Sequence, residues 1–84
     1  MRLTLYQRDD CKLCDEALDV LAQAGAPDFA SVFIDGDEAL EARFGARVPV
    51  LLEEHSQHEL DWPFDVVRLR GFIDACEALE LPGT

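Results

Sequence analysis

Basic residues are scarce in this sequence: 7 lysines and arginines stand against 18 aspartates and glutamates, for a net charge of −11. Binding a phosphate backbone needs clustered cations, and these are scattered, so nucleic acid is not an expected partner. An anionic membrane surface is disfavoured for the same reason. The acidic excess reads as a solubilising surface, one that would attract a basic patch on a partner. Long apolar runs are also missing. None approaches the roughly 20 residues that cross a bilayer. The opening Met1-Arg2-Leu3-Thr4-Leu5-Tyr6 enters an alternating pattern at once, without the apolar stretch and small-residue cleavage site of an export signal. The expectation is a cytoplasmic protein. Cysteine numbers only 3, an odd count that excludes a disulfide-stapled scaffold. Two of the three are close together and the third is alone, which suits a reducing compartment with one working pair. There is no Ser/His/Asp nucleophile set, no H-E-x-x-H and no phosphate-cradling glycine loop.

What is present suffices for one folded unit. The chain has 84 residues, and 49% of them are hydrophobic. That predicts one domain over 1–84 with a modest core, and it argues against disorder despite the charge. No internal repeat is visible.

Alternation predicts a first strand over about Arg2 to Gln7. The polar run Arg8-Asp9-Asp10 breaks it, and from Lys12 the period changes. Cys14, Ala17, Leu18, Leu21 and Ala24 fall on one helical face, and Gly25 and Pro27 end that helix. Phe29 to Ile34 reads as a second strand, so the first three elements make a parallel crossover unit. Asp37 is placed to cap a short helix through Phe44, with Leu40 and Phe44 facing inward and Gly45 stopping it. Val48 to Leu52 is the third strand, with Pro49 at its start because proline cannot donate to a ladder. A loose polar turn over Glu53 to Gln57 leads to a short antiparallel fourth strand at His58-Glu59-Leu60. The last helix starts at Pro63 or Asp65 and runs to about Leu79. Its buried stripe is Val66, Leu69, Ile73 and Cys76, and Pro82-Gly83 closes the chain. The predicted fold class is α/β: a β-α-β-α-β-β-α string forming a mixed four-stranded sheet with helices on both faces.

Cys11-Lys12-Leu13-Cys14 is a C-x-x-C beside a βαβ pattern, which reads as a redox motif. Two intervening residues at a helix start bring both sulfurs within bonding reach. Cys11 would occupy the cap or first helical position, where unsatisfied N–H groups and the helix dipole favour a thiolate, the attacking form. Cys14 lies on the apolar side, one turn along. Cys11 is therefore the candidate nucleophile and Cys14 the candidate resolving thiol. Lys12 favours a thiolate; Asp9, Asp10, Asp15 and Glu16 oppose it. Pro49 opens an internal strand and can be cis or trans, and nothing in the residues themselves selects between the two. A cis bond would leave the Val48 backbone free to pair with an extended substrate.

These segments resemble the small glutaredoxin-like proteins of the thioredoxin superfamily. Leu5-Tyr6-Gln7-Arg8-Asp9-Asp10-Cys11-Lys12-Leu13-Cys14 looks like their first strand and active-site motif. Phe33-Ile34-Asp35 looks like their second strand, and Arg47-Val48-Pro49-Val50-Leu51 like the segment holding their cis-proline. The resemblance covers nearly the whole chain. It implies a thioredoxin-like fold, Cys11 as nucleophile, Cys14 as resolving thiol, a cis Pro49 against the thiols, and pairing of the Val48 backbone with a protein thiol or with the peptide part of glutathione. Two departures weigh against glutathione. Lys12-Leu13 replaces the usual Pro-Tyr, and Leu60-Asp61-Trp62-Pro63-Phe64-Asp65 lacks the Gly-Gly then Asp segment that holds the γ-glutamyl carboxylate. Lys12 and Arg47 are the nearby cations able to meet a substrate carboxylate.

The remaining candidates are weaker. Cys76 reads as core. His55 and His58, with Cys11 and Cys14, would make a Cys₂His₂ set, but the spacing is not that of a zinc finger and the strand-three turn should lie opposite the thiols. No metal or cofactor is implied. Trp62 reads as packing that anchors the last helix, and Tyr6 as a possible border of the thiol site. The functional expectation is a thiol–disulfide oxidoreductase, monomeric, acting on a protein or low-molecular-weight thiol. The alternative is a non-catalytic protein-binding module on the same fold.

Overall fold

A computed structural model describes residues 1–80; the Pro82-Gly83 stop read from the sequence lies outside them. The elements are β1 (Leu3–Gln7), α1 (Lys12–Gln23), β2 (Phe29–Phe33), α2 (Glu38–Phe44), β3 (Val50–Glu53), β4 (His58–Asp61) and α3 (Val66–Glu80). The sheet order is β2-β1-β3-β4. β1 runs parallel to β2, with Leu3 opposite Phe29, and antiparallel to β3, with Tyr6 opposite Val50. β4 returns antiparallel to β3, with Glu53 opposite His58. With helices on both faces of this mixed sheet, the chain has the thioredoxin-like arrangement that the resemblance implied.

Local chemistry sets the boundaries. Asp37 Oδ1 accepts from the Leu40 N–H at 3.1 Å, capping α2. Asp65 Oδ1 accepts from the Arg68 N–H at 2.8 Å, so Asp65 rather than Pro63 starts α3. α1 ends in paired bonds from the Gly25 N–H to Ala22 O and from the Ala26 N–H to Leu21 O. Gly25 takes the left-handed φ of +64° that this closure demands and that a Cβ would penalise. β3 begins two residues later than the sequence suggests, because the Val48 N–H turns back to Phe44 O at 3.0 Å instead of joining a ladder.

The pleat divides the core in two. Leu3 and Leu5 of β1, Leu51 of β3 and Leu60 of β4 pack under α1 and α3 through Ala17, Leu21, Leu69 and Ile73. On the other face Val50 meets Ile34 and Phe44, with Tyr6, Leu40 and Val48 partly buried around them. α1 and α3 thus share one face and α2 covers the other. Most of the expected α3 stripe is buried, namely Leu69, Ile73 and Cys76. Val66 is only half-buried, since it sits at the helix mouth where the sheet no longer covers it. Trp62 packs edge-on against Phe64 with ring centroids 5.0 Å apart, and both belong to the larger core. No described helix is long and apolar enough to cross a membrane.

Candidate functional site

The parallel crossover brings the end of β1 and the start of α1 together, and the loop Arg8-Asp9-Asp10 spans the gap. Asp10 adopts φ 53°, a left-handed turn that aspartate tolerates better than most residues. The Asp9 N–H donates to Asp35 Oδ2 at 2.7 Å, tying the loop to the turn after β2. Arg8 reinforces the tie, pairing with Glu41 at 2.6 Å and donating to Gly45 O at 3.2 Å.

This loop delivers Cys11 to the N-cap of α1, in extended backbone at φ −118° and ψ 107°. Cys11 and Cys14 are joined as a disulfide, their Cα atoms 5.3 Å apart, within the ordinary range for a bridge. The Cys14 N–H points at Cys11 Sγ at 3.2 Å. The helix therefore directs one of its unpaired amides at the first sulfur, an arrangement that stabilises negative charge there once the bridge opens. The two sulfurs differ in access: Cys11 is half-buried, whereas Cys14 is 1% exposed. A cleft of about 460 Å³ opens beside them, lined by the Cys11–Asp15 turn, the Arg8–Asp10 loop, and Ser31 and Phe33 of β2.

The other sequence candidates lie around this pair in different ways. Lys12 lines the cleft. The Val48–Pro49 bond is cis. Pro49 immediately precedes Val50, which pairs with Tyr6 near the end of β1 from which the cysteine loop departs. Val48 and Pro49 thus flank β1 on the β3 side and do not line the cleft, which opens on the β2 side. The Val48 N–H is occupied by Phe44 O. Arg47 turns toward β4, where its guanidinium binds Glu59 and donates to Asp61 Oδ1 at 2.7 Å. Those hydrogen bonds, donated first to Asp61 and then to Glu59, push the Arg47 pKa further up. Those from Arg47 and Arg43 push the Glu59 carboxyl down. Tyr6 stacks on Phe44, centroids 4.2 Å apart, on the α2 face rather than bordering the cleft. Burial chiefly, with Glu54 assisting, raises its phenol pKa. Cys76 is buried in α3. His55 and His58 lie at the β3–β4 turn, at the opposite end of the sheet from the thiols. Among the described residues no group of three or more His, Cys, Asp or Glu side chains is placed to hold a metal.

Two features escaped the sequence reading. The Trp62–Pro63 bond is also cis, and no residue signal marks it. Glu53 was read as part of a polar turn, yet it is fully buried at the end of β3. Its carboxylate collects the N–H groups of Arg2 (3.0 Å), His55 (3.1 Å) and Ser56 (2.8 Å). Burial alone would raise its pKa, but these donors outweigh burial and hold it at about 2.

Known proteins agree with this architecture. A family model described as "Glutaredoxin-like domain (DUF836)" matches residues 2–74. The X-ray structure of the structural-genomics target XcR50 from X. campestris is 63% identical, covers 87% of this chain and 96% of its own, and superposes with a TM-score of 0.83. The solution structure of XcR50 gives 0.82, at 63% identity with 89% of this chain and 95% of its own covered. Protein Ne2328 from Nitrosomonas europaea is 31% identical over 84% of this chain and 88% of its own, with a TM-score of 0.66. No curated protein matches. With the family model spanning most of the sequence, and the dithiol lying where the first strand meets the first helix, this chain belongs to the glutaredoxin-like domain (DUF836) family of the thioredoxin superfamily.

Proposed function

We propose that the protein is a thiol–disulfide oxidoreductase working through Cys11 and Cys14. The observation that carries this reading is the asymmetry of the pair: a half-buried Cys11 at the helix cap, facing the Cys14 amide, bonded to a Cys14 that solvent barely reaches. In the reduced protein the Cys11 thiolate attacks a substrate disulfide, forms a mixed disulfide and expels one substrate sulfur as a thiolate. Cys14 then loses its proton and attacks Cys11 Sγ. This closes the intramolecular bridge and releases the second substrate sulfur. Two electrons pass from the dithiol to the substrate. The partner is a protein or small thiol in a reducing compartment such as the cytoplasm, and the exchange uses no cofactor. A substrate extending past Cys11 toward the β3 side would meet Val48 and the cis Pro49, outside the cleft.

The test is a trap. A Cys14→Ser variant, reduced and then mixed with a disulfide, should accumulate a stable mixed disulfide at Cys11, seen as a mass increase. Wild type should instead return to its closed bridge. If reduced wild type alkylates at Cys11 no faster than an ordinary exposed thiol, and no bridge forms under mild oxidation, the catalytic reading falls. A binding module with idle cysteines would then be left, recognised by unchanged partner capture in a Cys11→Ser variant.

A further inference from the structure

The cations around the dithiol are not equally available. Arg47 is held by Glu59 and Asp61, and Arg43 by Glu59 at 2.8 Å. Arg8 is held by Glu41 at 2.6 Å and by Asp35 at 3.7 Å. Each arginine near the thiol end that could receive a substrate carboxylate therefore already carries carboxylates of its own chain. The acids of the cleft are the reverse case. Asp9, Asp10 and Asp15 line it, and among the described residues none is in an ion pair; the Asp9 carboxylate accepts the Asp10 N–H at 3.1 Å. Against these three stands Lys12, a lining cation for which no ion pair occurs among the described residues. Phe33, 53% exposed, adds an apolar wall to the same cleft. The uncompensated charge beside the reactive sulfur is negative, and it sits on a chain whose net charge is −11. Charges a few ångströms from a reacting bond set both the encounter rate and the stability of the mixed disulfide.

We infer that the dithiol selects peptide disulfides flanked by basic residues and disfavours anionic ones. This rests on the thiol–disulfide reading above and names the substrate class for that same site. The exchange is the one already written, with two electrons moving from Cys11 and Cys14 to the peptide disulfide. Flanking ammonium or guanidinium groups lie against Asp9, Asp10 and Asp15, and a neighbouring apolar side chain meets Phe33. An anionic disulfide finds the same carboxylates repelling it and no free arginine to bind its own.

The test uses fully reduced protein in single turnover with three peptide disulfides of identical sequence except for flanking Arg, Gln or Glu. At low ionic strength the Arg peptide should react about tenfold faster than the Glu peptide, with Gln between them. At about 0.5 M salt the ratio should shrink to about twofold, because exposed charges are screened. A triple variant, Asp9→Asn with Asp10→Asn and Asp15→Asn, should show the same collapse at low salt. Asparagine keeps the Asp9 acceptor and tolerates the left-handed backbone at position 10, so the loop geometry is preserved. The Arg-to-Glu ratio is the readout, because neutralising the acids also changes the thiolate population and moves all three rates together. If the Gln peptide reacts but Arg and Glu peptides react alike, the charge inference is overturned and the thiol reading stands. If none reacts, both are overturned.

Discussion

The two ends of the central strands put the same chemistry to opposite uses. At the thiol end, one backbone N–H points at Cys11 Sγ, which stays half-buried beside an open cleft. At the far end, three backbone N–H groups converge on the Glu53 carboxylate, which solvent does not reach. Both arrangements aim amide dipoles at an atom suited to negative charge, which Glu53 carries in the structure and Cys11 would carry once its disulfide opens. The difference lies in saturation and access. Glu53 has its lone pairs filled and its surroundings packed, so its charge fastens the β3–β4 turn to the start of β1. Cys11 has one donor and an open side, so on the proposed function its thiolate would be held yet remain accessible once the bridge opens. Amide donors therefore stabilise a fold where the acceptor is enclosed, and prepare a reaction where it is not.

The largest effect should come from breaking the reactive end. Cys11→Ser should reduce single-turnover exchange with a neutral disulfide on the order of a thousandfold or more, to background, because serine's hydroxyl is a far poorer nucleophile near neutral pH. Urea unfolding of the reduced proteins should differ by less than about 1 kcal/mol, since the substitution is nearly isosteric and half-exposed. A large loss of stability with retained exchange would invert the proposed roles of the two ends.

The reciprocal change acts on the structural end. Glu53→Gln replaces one acceptor oxygen with an amide NH2, a donor set against N–H donors, and removes the charge that shortens the remaining bonds. About 3 kcal/mol of stability should be lost, which for a chain of this size lowers the melting temperature by more than about 10 °C. Cys11 alkylation should stay within about twofold of wild type, because the thiols lie at the other end of β1 and β3. Urea and thermal unfolding measure the first effect and a pH-jump alkylation assay the second.

The same carboxylate predicts an acid limb. Its ordinary value is 4.5 and the fold lowers it to about 2. A depressed carboxyl contributes its full stabilisation above the unfolded value, at pH 5 and higher. That contribution declines as pH falls from about 4.5 to 2, as the folded state is forced to bind a proton it resists. Integrated over that window it amounts to about 3 kcal/mol. Glu59 is also depressed by Arg47 and Arg43, so acid sensitivity in the wild type is shared. The Glu53 part is the difference between wild type and Glu53→Gln, and that difference should close as pH approaches 2. A constant difference from pH 6 to pH 2 would mean that ionisation of Glu53 does not hold the turn.

Legibility in the sequence divided along the same line. Strand and helix periods exposed the order of elements because Leu3, Leu5, Ala17, Leu21, Leu69 and Ile73 recur at the intervals that bury one face. Cys11-Lys12-Leu13-Cys14 was visible because here the two sulfurs that meet in space are also only three positions apart in the chain. Glu53 was not, because its partners are backbone amides, which every residue has and no residue announces. The β3 run Val50 to Glu53 is buried at every position, so no alternation marked the glutamate as inward-facing. Arg47 was legible only in part. Its place beside Pro49 drew notice, but the matching signal was the spacing of Glu59 and Asp61. Two residues apart on a strand, they share a face, here the face reached by Arg43 of α2 and by Arg47, three residues past that helix.

The smallest expected effect sharpens the comparison by testing a third cluster, the carboxylate-paired Arg47 near the thiol end of β3 and β4. The Arg47 guanidinium lies 5.6 Å over the Phe44 ring and bridges Glu59 and Asp61 at a solvent-facing edge. Exposed ion pairs contribute little, and Arg47→Gln should cost less than about 1 kcal/mol in urea unfolding, with the loss reduced further at high salt. Its effect on exchange separates two roles. An arginine serving as a substrate carboxylate receptor would, on removal, raise the KM for an anionic disulfide while sparing a neutral one. Removing an arginine already neutralised by its own chain would leave Asp61 without its partner and Glu59 with Arg43 alone, slowing anionic substrates only through added long-range repulsion. That repulsion is screened by salt, whereas loss of a direct carboxylate contact persists. Arg47→Gln kinetics with an anionic and a neutral disulfide at about 0.05 and 0.5 M salt therefore decide the matter. A defect of less than about threefold that vanishes at high salt is expected; one that survives would place Arg47 in the binding machinery of the thiol end.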